Sequence, residues 1–518
     1  MGTCRFSSRR RWLLCLAIIW PQFAGAAETS MSAARRNARR AAIESVEESQ
    51  LRGHVAALAD DTFEGREAGT RGGHAAGIYL GKEFQKHHLA GGAGRGYYQE
   101  FGARYRNILG LLEGGDPQLK DEVIIVAAHY DHVGYGNQQN SYGPVGYIHN
   151  GADDNASGAA ALLESVEALT ASSSPPARSI LFALWDGEEK GLLGSKHWVA
   201  HPTLDIRRVK LMINMDMIGR LRQDRLYIYG SRTAPGVRRL VSMQNRELGM
   251  WLDFTWEMKD NSDHHPFFER GIPALMLHTG LHDNYHRPSD DVETVNTAGA
   301  QRVARLLVGL VEEVAHRPQL PSFRARSRVE SPTTQPTAER PLAPLPGRLG
   351  VSWQPDEDQS AGLRVTRVRL GSAADRGGIR AGDRITHFAG REITDAEAFR
   401  SLVLAAANPV PVTMVRANPG ESEEVQLTLD GTPTRLGIAW RMDDAEPESV
   451  TLVRVVPGSP ADRAGLKVHD RVYQVSGRDF ASSEEFQSLV TADVPRLELT
   501  VERQGRISDV TVEPVLLQ

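Results

Sequence analysis

The chain has 518 residues, 41% of them apolar and 24% charged, with a formal net charge of −5. That length exceeds what one domain usually holds, and the composition provides for a large soluble core. No basic excess runs through the body, which argues against nucleic acid as a partner. The chain opens with a basic start, Arg9-Arg10-Arg11, a short apolar run from Trp12 to Trp20, and small residues at Ala24-Gly25-Ala26. This pattern reads as a signal peptide over residues 1–26, with an apolar run too short to cross a bilayer. The triple-arginine start also has a twin-arginine character, to which little weight is given. Cys4 and Cys15 both lie within that segment, so the mature chain has no thiol and no disulfide. An extracytoplasmic location, periplasmic or secreted, is expected, with no integral membrane span after cleavage.

Met31 to Gln50 reads as a helix or leader, and Leu51 to Phe63 continues the helical pattern. Glu64 to Thr70 breaks it, with Glu64 and Arg66 expected to form a structural ion pair. Helix resumes from Ala75 to His88. Four apolar segments then repeat one arrangement, a buried strand followed at once by chemistry. Val123 to Ala128 ends on His129-Tyr130-Asp131-His132, and Gly151 to Gly158 carries Asp153-Asp154-Asn155 into a helix. Ser179 to Trp185 ends in Asp186-Gly187-Glu188-Glu189. Val209 to Met215 ends in Asp216, and Ala274 to His278 is followed by Asn284-Tyr285-His286. The Val133 to Asn150 loop lies between two of these segments and is expected to shape the mouth of a site.

The fold class that follows is α/β, a mixed, mostly parallel open sheet flanked by helices, with ligands gathered at strand ends. His129, Asp154, Glu189, Asp216 and His286 form a set of nitrogen and oxygen donors. Five such donors with one shared carboxylate suit two Zn²⁺-like ions better than one. Glu188, beside a ligand but left over, is placed to act as a general base on water. Asp153 competes with Asp154 for the shared position. His132, His149, His264, His265, His278 and His282 read as surface or packing residues, or as residues behind the ligands. Asp186 reads as a group behind the ligands and Asp263 as a helix cap.

Asp290 to Ala315 reads as a closing helix, with Val303, Leu306, Leu307, Leu310 and Val314 on one face. Residues 316–347 contain seven prolines and read as an extended, semi-stiff linker. Beyond it lies an ungapped internal repeat with an offset of 87 residues. Arg348-Leu349-Gly350-Val351 returns as Arg435-Leu436-Gly437-Ile438, and Gly371-Ser372 returns as Gly458-Ser459. Two small β-rich domains follow, at 348–431 and 434–518, each with one good helix. Asp395 starts the first helix, and Ser482 with Glu485 makes a capping box for its twin. The preceding domain spans 27–315.

The motifs His129-Tyr130-Asp131, Gly151 to Gly158, Asp186 to Glu189, Tyr285-His286 and Ser262-Asp263-His264-His265-Pro266-Phe267 resemble the M28 family of zinc peptidases. Most members of that family are aminopeptidases, and the resemblance covers Leu51 to Ala315. It implies a zinc-exopeptidase-type sheet and two Zn²⁺. One ion would take His129 and Asp216, the other Glu189 and His286, with Asp154 bridging. Asp131 would orient His129, Glu188 would serve as acid and base, and Tyr285 would polarise the scissile carbonyl. The implied activity is removal of N-terminal residues from peptides.

The repeats resemble PDZ domains attached to extracytoplasmic proteases. By that resemblance, Leu349, Gly350 and Val351, and Leu436, Gly437 and Ile438, present backbone N–H groups to the C-terminus of a peptide or protein partner. Three other readings stand beside these. The PDZ pair could be the working part beside a vestigial peptidase, the enzyme could be a glutaminyl-cyclase-like acyltransferase with one working metal, or the β-domains could bind nothing.

Overall fold

The computed structural model describes residues 33–172, 175–345, 347–355, 362–418 and 420–515. The signal-peptide reading of residues 1–26, with both cysteines, lies outside them. In the first half, strands β1 (Ala90–Gly91), β2 (Tyr98–Phe101), β3 (Tyr105–Leu112), β4 (Val123–His129), β5 (Ser179–Trp185), β6 (Val209–Met215), β7 (Arg225–Tyr229), β8 (Trp251–Phe254) and β9 (Ala274–His278) form one sheet. Its order is β1-β3-β5-β4-β6-β9-β7-β8, with β2 paired to β3. Neighbours β5, β4, β6 and β9 are all parallel, so their C-terminal ends share one edge. Every residue of β4, β5 and β9 is buried, as a central parallel strand covered on both faces requires.

The covering helices are α1 (Ala33–Glu44), α2 (Glu48–Leu58), α3 (Arg71–Lys86), α4 (Gly158–Thr170), α5 (Leu193–Ala200), α6 (Val237–Gln244), α7 (His265–Arg270) and α8 (Thr297–His316). α1 to α4, α6 and α8 share one core with the first face of the sheet. α5 and α7 cover the other face, where Trp198 and Phe267 stack at 5.6 Å beside Trp185. The expected α/β sheet with flanking helices is therefore the observed one.

Three local expectations differ. The stretch read as one N-terminal helix is broken at Ser45 to Glu47, where Glu47 donates its N–H to buried Glu164 at 3.1 Å. The helix into which Asp153-Asp154-Asn155 were expected to lead directly begins only at Gly158, after a distorted turn over Ala152–Ser157. Glu64 pairs with Arg71 rather than Arg66, whose side chain is fully buried among backbone carbonyls.

The Pro-rich segment is not a free spacer. It carries α9 (Gln335–Ala338), and Arg324 donates its N–H to Thr233 at 2.7 Å. Arg232 and Arg324 both pair with Glu330, at 2.8 and 2.7 Å. Ion pairs and a backbone hydrogen bond, which proline spacing does not reveal, hold this segment against the first domain.

The two repeats build matching sheets. β10 (Val351–Pro355), β11 (Leu363–Val368), β12 (Arg384–Phe388), β13 (Arg391–Glu392), β14 (Val410–Val415) and β15 (Ser422–Leu427) pack with α10 (Ala373–Arg376) and α11 (Ala396–Ala405). β16 (Ile438–Asp443), β17 (Glu446–Val455), β18 (Arg471–Val475), β19 (Leu497–Arg503) and β20 (Arg506–Val512) pack with α12 (Pro460–Arg463) and α13 (Ser483–Thr491). The caps are as expected. Asp395 accepts from Glu397 and Ala398 N–H, and Ser482 accepts from Glu485 N–H.

The second repeat docks on the first domain at β8, the outer strand of the large sheet. The turn between β19 and β20 reaches across, and Gln504 C=O accepts the Leu252 N–H at 2.9 Å. Gly505 sits so close that a Cβ there would lie 2.3 Å from Leu252 Cβ, and its φ is +77°. Arg506 lies over the Trp251 ring at 3.6 Å. An unpaired edge strand invites association with other chains, and this hairpin covers it.

Candidate metal centre

The four parallel strands carry the candidate residues to one sheet edge. His129 closes β4, Glu188 and Glu189 follow β5, Asp216 follows β6, and His286 stands in the loop after β9. Asp154 comes from the distorted turn ahead of α4, whose Asp154–Asn155 peptide is cis. Two clusters result. His132, Asp154, Glu189 and His286 offer ligand atoms within 4.8 Å of one another, and so do His129, Glu188 and Asp216.

Asp154 lies between them. Its Oδ1 is 3.4 Å from His129 Nε2, and its Oδ2 is 3.2 Å from His286 Nε2. Asp216 Oδ1 stands 3.5 Å from His129 Nε2, and Glu189 Oε2 stands 3.1 Å from His286 Nε2. Asp153 faces the other way. Its Oδ1 accepts from Gly219 N–H at 2.5 Å and from Ser157 Oγ at 3.0 Å, while Oδ2 lies 3.2 Å from His282. The shared position therefore belongs geometrically to Asp154.

The donor set fits a pair of divalent cations. His286 Nε2 is buried and meets no hydrogen-bond geometry, although two carboxylates stand beside it. Donors that converge without bonding one another leave room for a shared cation. Each imidazole is also held in the tautomer that frees Nε2. His286 Nδ1 faces Asn140 C=O at 2.8 Å, and His129 Nδ1 faces Asp131 C=O at 3.1 Å. Two imidazoles with carboxylates match the borderline-hard donors of zinc-type ions. The described residues thus hold a candidate dinuclear metal-binding cluster.

Asp131, expected to orient His129, meets its Nδ1 with the main-chain carbonyl rather than the carboxylate. Its carboxylate lies 3.8 Å from His129 Nδ1 and accepts instead from the N–H groups of Glu188 and Glu189, at 3.0 and 3.3 Å. It therefore sets the backbone of both glutamates. Asp290 plays the same part opposite, accepting from the Asp153 and Asp154 N–H groups at 3.0 Å each. Tyr285 stacks on His286 with ring centroids 3.9 Å apart. Tyr142, from the loop between the first two ligand segments, leans on both rings and donates its N–H to His286 C=O at 3.0 Å.

Three residues sit where the sequence did not place them. His132 is part of the cluster, its Nδ1 2.9 Å from Glu189 Oε1. Asp263 is no helix cap: it is buried and accepts from Ser195 Oγ at 2.5 Å. Arg66 donates to the carbonyls of Tyr130, Leu58, Asn150 and Gly151 at 2.6–2.9 Å, tying together the loops that carry His129 and Asp154. His132 adjoins the His129-Tyr130-Asp131 motif, which was a usable signal. No local pattern marks Arg66 or Asp290.

Crowded acids and imidazoles shift one another. Burial, reinforced by Glu189, Asp216 and Asp263 and opposed by His129, holds Glu188 well above the usual carboxylate range. Burial works against the His286 imidazolium, but Asp154 and Glu189 push its pKa up to about 11. Burial would raise Glu189, yet His132 and His286 hold it well below the ordinary range. Burial and the carboxylates of Asp154, Glu189, Asp216 and Glu188 push the Tyr285 phenol up, so it stays protonated. Burial lowers Arg66 to about 10, which leaves its cation in place at neutral pH. Without metal, protons on the histidines balance the carboxylates, so cation binding must displace protons.

Comparison with known proteins follows this division. Residues 107–311 match the model of peptidase family M28, and residues 364–416 and 434–513 each match a PDZ domain model. The chain is 28% identical over 226 residues to aminopeptidase YwaD of Bacillus subtilis, covering 42% of this chain and 46% of that protein. It is 28% identical over 234 residues to leupeptin-inactivating enzyme 1 of Streptomyces exfoliatus, covering 44% of this chain and 49% of that one. The chain spans about half the length of these curated relatives. Among solved structures, the Legionella pneumophila LapA aminopeptidase aligns at 19% identity and a TM-score of 0.46, covering 55% of this chain and 76% of that one.

Proposed function

Starting from an M28 peptidase domain followed by two PDZ domains, we propose that this protein is an extracytoplasmic zinc-dependent aminopeptidase. It removes N-terminal residues from peptides, and its PDZ pair recruits peptides or partners. The observation that carries this reading is the placement of Asp154, one oxygen toward each histidine, with Glu188 grouped with His129 and Asp216 in the second cluster.

His129 and Asp216 would hold one ion and Glu189 and His286 the other, with Asp154 facing both. When bound, such a pair supplies Lewis-acid polarisation and lowers the pKa of water toward neutrality. Glu188 takes the proton of the attacking water and hands it to the leaving amine. Burial raises its pKa, which makes it, once ionised, a stronger base than a carboxylate in water. Tyr285, kept protonated, donates to the substrate carbonyl oxygen as negative charge develops there. Asp131 keeps Glu188 and Glu189 in register through their N–H groups.

Two facing clusters favour a two-metal hydrolase over a single-metal acyltransferase, and intact converging donors favour an enzyme over a vestigial fold. A panel of aminoacyl p-nitroanilides, with metal counted by elemental analysis, tests this. Turnover with two zinc ions per chain is expected; silence with both ions bound would leave the PDZ scaffold reading instead. The signal-peptide pattern and the cysteine-free remainder support the extracytoplasmic location, and no helix among the described residues is long and apolar enough to cross a membrane. Cell fractionation checks it.

A further inference from the structure

The two PDZ copies share their backbone frame. Gly350 and Gly437 have φ of +81° and +80°, and a Cβ at either would lie 2.2 Å from the Cβ of Ser372 or Ser459. The carbonyls of both glycines accept from equivalent backbone N–H groups, Arg369 at 2.9 Å and Val456 at 2.8 Å. In each copy a tryptophan on the strand after this loop packs edge-on against the helix phenylalanine, Trp353 on Phe399 at 5.0 Å and Trp440 on Phe486 at 4.9 Å. The frames match, so differences in side chains between them decide what each can bind.

Two differences fall on the peptide path. In the second copy Gly437 donates its N–H to Thr434 Oγ1 at 3.0 Å. The equivalent residue of the first copy is Gly347, which has no hydroxyl. The second copy also has Trp440 Nε1 donating to Ser483 Oγ at 2.9 Å, which links the strand to the start of the helix. The equivalent helix residue in the first copy is Ala396, which cannot accept. Thr434 thus occupies the Gly437 N–H that an incoming carboxylate would use, and the Trp440–Ser483 bond ties β16 to the start of α13. The second copy is moreover fastened to the peptidase through Arg238–Glu502 and Leu252–Gln504.

We propose that peptide binding belongs to the first PDZ copy alone, and that the second is a structural brace closed by its own side chains. The first copy takes a free C-terminal carboxylate on the Gly350 loop. The last side chain is apolar, because the side chains nearest the Gly350 loop, on β10 and α11, are the core residues Leu349, Val351, Trp353 and Val403. Arg400, whose guanidinium stands 5.4 Å over the Trp353 ring and also lies against Gly458 of the second copy, adds positive charge beside the path and suits an acidic residue further back in the peptide. Holding a peptide by its C-terminus leaves its N-terminus free for an aminopeptidase. The inference rests on the reading that the PDZ pair captures C-termini.

The test is fluorescence anisotropy on the full chain, with an N-terminally fluorescein-labelled degenerate hexapeptide ending in Val and a free carboxylate. One site per chain is expected, weakened about tenfold or more by C-terminal amidation, since a hydrogen-bonded charge is lost. Gly347→Thr with Ala396→Ser should close the first copy and weaken binding to a similar degree; a Cβ at Gly347 meets nothing within 4 Å. Thr434→Gly with Ser483→Ala should open the second copy and add a site, a gain that misfolding cannot mimic. Two sites in the unmodified chain, or binding that survives closure of the first copy, overturns the inequality. Absence of binding in all three proteins overturns the C-terminal capture reading, and this inference with it.

Discussion

Arg238 on α6 and Glu502 on β19 lie 264 residues apart in sequence and meet as a two-pronged pair, at 3.0 and 3.1 Å. Glu502 is fully buried and also accepts the Gly505 N–H at 2.5 Å. Removing one member of a buried pair leaves the other desolvated and uncompensated. Glu502→Gln should therefore cost about 3–5 kcal/mol, read as a clear fall in the first thermal transition. Asp509→Asn weakens an exposed pair with Arg246, keeps an oxygen to accept from Thr500 Oγ1, and should shift stability by about 0.5 kcal/mol or less. Equal effects from the two would refute the brace.

Deleting residues 348–518 should bare the Leu252 N–H and leave Arg238 without its carboxylate. The expected product associates through its exposed edge strand. Light scattering after size-exclusion chromatography decides it, and a monodisperse, fully stable truncated peptidase would contradict the prediction.

Glu188→Gln keeps the shape of the side chain and removes its basicity. The variant should retain two zinc ions by elemental analysis while kcat falls about 10²–10⁴-fold, the usual worth of general acid–base catalysis. An undiminished kcat would remove Glu188 from the proton-transfer role.

Arg66→Lys keeps a cation but cannot span the carbonyls of Leu58, Tyr130, Asn150 and Gly151 together. The lysine variant should bind zinc about 10–100-fold more weakly, in the range seen when supports behind metal ligands are lost. Calorimetric titration of the metal-free protein measures it. Excess zinc should recover much of the turnover, an outcome that simple unfolding would not produce.

Glu164, buried on α4, accepts the Glu47 N–H at 3.1 Å. Burial pushes its pKa up to about 7 from an ordinary 4.5. The native state therefore keeps a proton that the unfolded chain releases, so stability present below about pH 4.5 is lost as pH rises toward 7. The loss is on the order of 3 kcal/mol. Glu164→Gln should flatten that part of the profile, seen as a smaller drop in Tm between pH 5 and pH 7.5.

Much of the molecule was legible because burial leaves a plain trace. β5, β6 and β9 begin and end where their apolar runs do, since parallel strands covered on both faces must be apolar throughout. The chemistry-bearing residues stood out because they interrupt those runs at strand ends. What stayed hidden depends on contacts between distant segments. Arg66 looked like half of a local ion pair, yet it binds carbonyls up to 85 residues away. His132 looked like one histidine among many until β4 brought it beside Glu189. The Pro-rich segment read as a spacer, because nothing within it announces that Glu330 would meet Arg232.

The cover over Leu252 has a consequence in time. Roughly 250 residues separate that strand from Gln504, so at 5–20 residues per second a ribosome takes about 13–50 s to make the second after the first. A first domain that folds as it emerges carries a bare strand for that interval. A chain exported from its N-terminus meets the same order on the far side of the membrane, where the strand stays bare until the last hairpin follows.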